Sequence, residues 1–341
     1  MKKLLTKIVY IGFCNSFLFA SSVNVITASE AIKLIRQKNV QFITTQNYNK
    51  VIDETKVLEL KFLSDINVIG KLSCSPLYTC IDTLEKSLDN LQLKKDTTLV
   101  IYDESYTIES ATLYSILESI GYKKLKLLNG GISSIALLDP NQKAYDKYLF
   151  LLQTKWKAFH SNKEGIVRQQ YLSSIRELEK KIAVLKPLLL IKNISVIKEE
   201  RTSHYRVKEE DMNYEYLSSY KTLKEASLKV KKEGLESNLT IVDTCGTVDI
   251  IGNRYGGYRP AVSFIDWKSL VNKETKRMLS KKYLKELFEK MNLDKENQFY
   301  VYCMNDSKKA FYTQIALRLA GYNKVKVFTG NWDTWTGEDF E

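Results

Sequence analysis

The sequence predicts an α/β protein of two domains, each a parallel sheet flanked by helices, with an α-helical hairpin inserted between them. Three observations carry this reading. Short β-branched and aromatic runs, such as Thr98-Leu-Val-Ile101 and Phe299-Tyr-Val-Tyr302, alternate with helix-like runs. Strands that alternate with helices imply parallel sheets covered on both faces. The chain also repeats itself. A shift of 200 residues puts Tyr102-Asp103 on Tyr302-Cys303, Gly121-Tyr122 on Gly321-Tyr322, Lys124 on Lys324, Lys126 on Lys326 and Gly130 on Gly330, with no gap. A match of that length points to duplication. Finally, residues 140–212 fit neither copy and carry two apolar stripes at helical spacing. A length of 341 residues suits two domains, and a hydrophobic fraction of 44% suffices for their cores.

Taken in order, residues 1–22 read as a secretory signal. Lys2 and Lys3 precede a mostly apolar run from Ile8 to Ala20, and Leu18-Phe-Ala20 before Ser21-Ser22 is a small-residue cleavage site. The other reading of the segment is an uncleaved membrane anchor. The expectation is an exported, periplasmic protein with no other membrane contact. Residues 23–139 form the N-terminal domain, which is read as non-catalytic. Thr27-Ala-Ser-Glu30 reads as a capping box opening a helix, with Thr222-Leu-Lys-Glu225 as its counterpart in the second copy. Cys74 and Cys80 flank Ser75-Pro76 and read equally as a disulfide or as two separate thiols.

Residues 140–212 are the helical insertion and linker. Tyr145, Tyr148, Leu152, Trp156 and Phe159 make one face, and Tyr171, Ile175, Leu178, Ile182 and Leu185 another. Ser161-Asn-Lys-Glu-Gly165 breaks the chain between them and Pro187 ends the second helix. Such a hairpin packs on the domains or serves a protein partner. Residues 195–213 are charge-rich and read as a surface linker. Residues 213–341 form the C-terminal domain, read as catalytic.

The chemistry centres on Cys303, between a strand and a helix. The backbone N–H groups that open a helix, together with its dipole, favour an anion, and so favour a thiolate. The other reading is a buried structural cysteine. Lys308 and Lys309 follow it. The two histidines, His160 and His204, lie far from every cysteine in sequence, so no metal site and no cofactor is expected. The net charge of +12 comes from 52 basic residues scattered among 40 acidic ones, and no nucleic-acid motif occurs. The charge therefore reads as a solvated surface that draws small anions rather than as a nucleic-acid interface.

These features resemble the tandem-domain rhodaneses, the sulfurtransferases that act on thiosulfate or 3-mercaptopyruvate. Cys303 matches the persulfide cysteine of their C-terminal domain, and Asp103 the aspartate that commonly replaces it in the N-terminal one. Ile241-Val-Asp-Thr244, Gly257-Tyr-Arg-Pro-Ala-Val262 and the Gly330-Asn-Trp-Asp-Thr-Trp335 ending are similar to further family elements. The resemblance implies that Cys303 accepts a sulfane sulfur from a small anionic donor and yields it to a thiol or cyanide-like acceptor. It also implies that Met304, Asn305, Asp306, Ser307, Lys308 and Lys309 form the loop around it, with Arg254 and Arg259 as anion contacts. Lys and Asp306 stand where the family often has Arg and Gly. A phosphatase or arsenate reductase of the same fold would need an arginine in this loop, which has none. A non-catalytic or redox-sensing module is the alternative. Cys245 occupies a place where the family often has arginine, and two readings of it stay open: a partner for Cys303, or a small buried filler.

Overall fold

The computed structural model describes residues 23–44, 50–52, 55–57, 85, 93, 96–193, 206–245, 263–303 and 306–328. The proposed signal segment, and Cys74 and Cys80, lie outside them. The first half supplies strands β1 (Val25–Ile26), β2 (Val40–Thr44), β3 (Lys50–Ile52), β4 (Thr55–Val57), β5 (Thr98–Tyr102) and β6 (Leu125–Leu128). Five of these form a wholly parallel sheet in the order β1-β6-β5-β2-β4. Helices α1 (Ala28–Leu34), α2 (Ile108–Ser119) and α3 (Gly131–Leu138) cover it. The Thr27–Glu30 capping box forms as expected, each residue's side chain accepting from the other's backbone N–H.

The hairpin is α4 (Pro140–Ser161) and α5 (Gly165–Leu185). Asp139, itself buried, holds both of its ends, accepting from Asn141 N at 2.9 Å and from Leu190 N at 3.2 Å. The returning chain, β7 (Ile191–Asn193), pairs antiparallel with β3 and so ties the insertion to the first domain. The stripe residues of both helices are half-buried and only Ile175 is fully buried, so the stripes meet each other in a two-helix layer. Cationic side chains close its edges, with Arg168 at 4.5 Å from the Phe159 ring centroid.

The second half supplies β8 (Leu217–Ser218), β9 (Leu239–Asp243), β10 (Ser263–Phe264), the small antiparallel pair β11 (Val271–Asn272) and β12 (Arg277–Met278), β13 (Gln298–Tyr302) and β14 (Val325–Phe328). Its parallel sheet runs β8-β14-β13-β9-β10, the order of the first sheet. Helices α6 (Tyr220–Glu233), α7 (Lys281–Lys290) and α8 (Ser307–Leu319) flank it. One expectation is corrected here. The cap of α6 is Ser219, whose hydroxyl accepts from Thr222 N at 3.1 Å, so the helix starts before Thr222 rather than at it.

The repeated residues do the same work in both copies. Gly121 and Gly321 end α2 and α8 at φ +94° and +100°, and the next residue reaches back to close the helix, Tyr122 N to Leu117 O and Tyr322 N to Leu317 O, each at 3.0 Å. Lys124 Nζ donates to Asp96 O at 3.0 Å and Lys324 Nζ to Glu296 O at 2.9 Å. Helices α2 and α8 are buried nearly all round, because each lies between its own sheet and the other domain. One hydrophobic cluster runs through both halves, joining Leu113, Ile116 and Leu117 to Phe311, Ile315 and Leu317. Within that interface Arg318 donates to both carboxylate oxygens of Glu118, at 2.6 and 2.9 Å, and its guanidinium lies 3.8 Å from the Tyr216 ring centroid.

Candidate active site

Strand β13 is the middle strand of its sheet, and Cys303 is the first residue past its C-terminal end. In parallel sheets that edge is where ligands are met. Neighbouring β9 ends in register, with Tyr302 opposite Asp243. Thr244 N donates to Tyr302 O at 2.9 Å, which carries the ladder one step further. Cys245 N then donates to Asp243 Oδ1 at 2.9 Å, turning the chain back across the edge. The two sulfur-bearing residues are thereby brought to a Cα separation of 5.0 Å and joined as a disulfide across 58 residues of sequence. Adjacent strands lie about 4.8 Å apart, so the bridge needs only that both loops turn the same way. Of the two readings of Cys245, the structure gives the partner. The bridge is sealed in, with Cys245 1% and Cys303 2% exposed.

Beyond Cys303, Asp306 caps α8 by accepting from Lys308 N at 3.1 Å, and buried Ser307 opens the helix. Asp306 thus has a structural task at this place, satisfying a helix N–H. Met304, Asn305, Arg254 and Arg259 lie outside the described residues. The first domain shows what such a turn does with an anion. Asp103, at the end of β5, accepts from Thr107 N at 3.0 Å, from Ser110 N at 3.3 Å and from Ser110 Oγ at 3.1 Å. Burial pushes its carboxyl up to about 6, against the downward pull of those hydrogen bonds. Amides of α3 hold the same loop from the other side, Ile132 N on Asp103 O at 2.8 Å. Gly131, at φ +56°, leaves the room for that approach, since a Cβ there would strike the Asp103 carbonyl oxygen.

The loops after β5 and after β13 face each other across a cleft of about 230 Å³. Asp103, Glu104, Tyr106 and Glu109 line it from the first domain, and Asp306 and Lys308 from the second. Lys308 Nζ lies 3.6 Å from Glu109 Oε1. The Lys308 charge thus faces a carboxylate of the other domain across the cleft. Glu109 and Tyr106 were not singled out from the sequence. The repeat was the available signal, because two copies packed about a pseudo-twofold axis bring equivalent loops together. Tyr106 packs edge-on against Trp267 at 6.4 Å, and Trp267 against Tyr312 at 6.1 Å, which stiffens the wall between the loops. Among the described residues no group of three or more His, Cys, Asp and Glu is placed to hold a metal ion, and no helix is long and apolar enough to cross a membrane.

This architecture is the rhodanese fold, present in two domains. No protein-family model and no curated protein matches the sequence. Solved structures match nearly the whole chain. SseA from Escherichia coli, a 3-mercaptopyruvate sulfurtransferase, is 14% identical at a TM-score of 0.60, covering 91% of this chain and 99% of its own. The Tum1 protein from Saccharomyces cerevisiae is 16% identical at 0.62, covering 93% and 97%. EanB, solved as a cysteine persulfide with ergothioneine, is 12% identical at 0.56, covering 92% and 68%.

Proposed function

We propose that the chain is a sulfurtransferase that moves a sulfane sulfur from a small anionic donor, such as thiosulfate or 3-mercaptopyruvate, to a thiophilic acceptor through a persulfide on Cys303. The observation that carries this is the place of Cys303. It follows the central strand of the second sheet and precedes the N-terminus of α8, in a fold shared with SseA and Tum1. In the reduced protein the Cys303 thiolate attacks the terminal sulfur of the donor, the bond behind that sulfur breaks and sulfite (from thiosulfate) or pyruvate (from 3-mercaptopyruvate) leaves with the electron pair; the acceptor then attacks the outer sulfur of the persulfide and the Cys303 thiolate leaves, in two steps of covalent catalysis. The equivalent turn of the first domain presents backbone N–H groups to the Asp103 carboxyl, the kind of donor that a thiolate at Cys303 would use. The disulfide also fits an exported, oxidising location, in keeping with the basic and apolar start of the chain.

Radiolabelled thiosulfate added to protein reduced with dithiothreitol and then freed of it tests this. The expected result in a Cys245→Ser background, where no second thiol can displace the sulfur, is one cyanide-labile sulfur on Cys303, lost when Cys303→Ser is added and kept when Asp103→Ala is added. Labelling that survives Cys303→Ser would overturn the assignment. A second reading, a redox-responsive module, is favoured by one observation: in the bridged form the nucleophile is tied up by Cys245.

A further inference from the structure

We propose that Cys245 is a resolving thiol, which makes the site a converter of sulfane sulfur into hydrosulfide rather than only a carrier; this rests on the persulfide reading of Cys303. The bridge already shows that the two sulfurs reach each other without rearrangement of the sheet, because the β9–β13 register and the Thr244–Tyr302 hydrogen bond hold both loops in place. Asp243, accepting from Cys245 N, fixes the turn that points Cys245 at its partner. Cys303 is 2% exposed, so a thiol already inside the site meets a persulfide there more readily than one that must enter from solution. Its nearest nucleophile is one held on the adjacent strand end. A thiol positioned in that way acts at an effective concentration far above that of any dissolved competitor.

The step balances. Cys245–SH and Cys303–S–S⁻ give Cys245–S–S–Cys303 and HS⁻. The Cys245 sulfur attacks Sγ of Cys303, the bond from that atom to the outer sulfur breaks, and the outer sulfur leaves with the electron pair and the Cys245 proton. The sulfane sulfur is reduced to sulfide and the two cysteines are oxidised to the disulfide seen here. An external dithiol then returns the bridge to two thiols by two thiol–disulfide exchanges. The partner implied is therefore a dithiol reductant, with a donor of sulfane sulfur as substrate.

The test is a single turnover of the full chain. Protein is reduced, freed of reductant and kept under argon, so that oxygen cannot form the bridge. It is then mixed with thiosulfate, 3-mercaptopyruvate or inorganic polysulfide. Released sulfide is measured, and the cysteine state is read by intact mass and peptide mapping. Wild type is expected to release one sulfide per chain and to end with linked Cys245 and Cys303 peptides. Cys245→Ser and Cys245→Ala are expected to stall with one extra sulfur on Cys303 and to release sulfide at least about tenfold more slowly. The wild-type measurement stands even if both variants fold poorly. Wild type that holds the persulfide and releases no sulfide would overturn the resolving role while leaving sulfur uptake intact. A bridge from Cys303 to a different cysteine would overturn it as well. Uptake from none of the three donors, in wild type or variant, would overturn the persulfide reading and this inference with it.

Discussion

At position 103 the chain carries a carboxylate and at the repeat-related position 303 a sulfur. The Asp103 carboxyl is buried and is taken up by Thr107 N, Ser110 N and Ser110 Oγ. Its burial also has a consequence for stability. The folded carboxyl titrates near 6 against an ordinary 3.8, so the native state holds its proton more tightly than the unfolded chain does. The stabilisation from this group is fully present below about pH 4 and is lost as the pH rises through about 6. The unfolding free energy of wild type minus that of Asp103→Asn should fall by on the order of 3 kcal/mol between about pH 4 and about pH 7. Urea titrations across that range check this, and a difference that is flat or rises would contradict it. Glu109 matters in another way, through its 3.6 Å contact with Lys308. Glu109→Gln removes a negative charge from the cleft and frees the ammonium. The KM for thiosulfate should drop about fivefold with kcat unchanged, since one charge at this range is worth on the order of 1 kcal/mol. Steady-state kinetics at low ionic strength read it directly.

Among the elements, the hairpin packs chiefly on itself, whereas the paired crossover helices α2 and α8 are buried against both halves. Helices α4 and α5 cover each other with half-buried stripes and leave Phe150 68%, Ile166 77% and Val184 67% exposed. Among the described residues, the base of the insertion is anchored through Asp139 and the β3–β7 pair. Removing residues 143–185 and closing the gap with a flexible linker should therefore leave sulfur loading at Cys303 unchanged, and the midpoint of urea unfolding of the two domains nearly so. A broad or split transition after the deletion would show that the hairpin belongs to their core. A substitution such as Ile315→Ala, in α8, should by contrast cost about 2–5 kcal/mol, because that side chain is fully buried in the cluster shared by both halves.

Across the whole molecule, Glu118 and Arg318 are related by the same 200-residue shift as the rest of the repeat, yet carry opposite charges. An axis that brings equivalent positions together turns that difference into a buried bidentate ion pair. Two identical residues at this place would repel or leave a charge unpaired. Arg318→Glu should destabilise the protein by about 3–5 kcal/mol, because it strands two carboxylates in the interface. Adding Glu118→Arg should recover much of the loss but not all of it, since the new arginine cannot stack on Tyr216 as Arg318 does. Urea unfolding of the two single variants and the double variant measures the coupling. Failure of the double variant to regain stability over Arg318→Glu would show that the pair is not an isolated contact.

Local chemistry along the chain was enough for much of this. Alternating strand and helix runs determine the two parallel sheets, because periodicity and helix caps act within a few residues. The recurrence of Gly121-Tyr122 and Lys124 at Gly321-Tyr322 and Lys324 determines that both halves close their helices and anchor their next strands alike. The strand–turn–helix setting of Cys303 is legible for the same reason, and it singles that residue out as the proposed nucleophile. The cap of α6 was misplaced because Ser219 and Thr222 both carry a hydroxyl suited to the task, and only the backbone path chooses between them. Three features belonged to the tertiary structure alone. The fate of Cys245 depended on which way two loops turn at a shared sheet edge. The pairing of Lys308 depended on Glu109, a residue 199 positions away on another domain. The complementary Glu118–Arg318 contact depended on the packing of two helices about an axis that no segment of the chain encodes by itself. In each case the deciding energy is an interaction between residues distant in sequence, which exists only once the two halves have met.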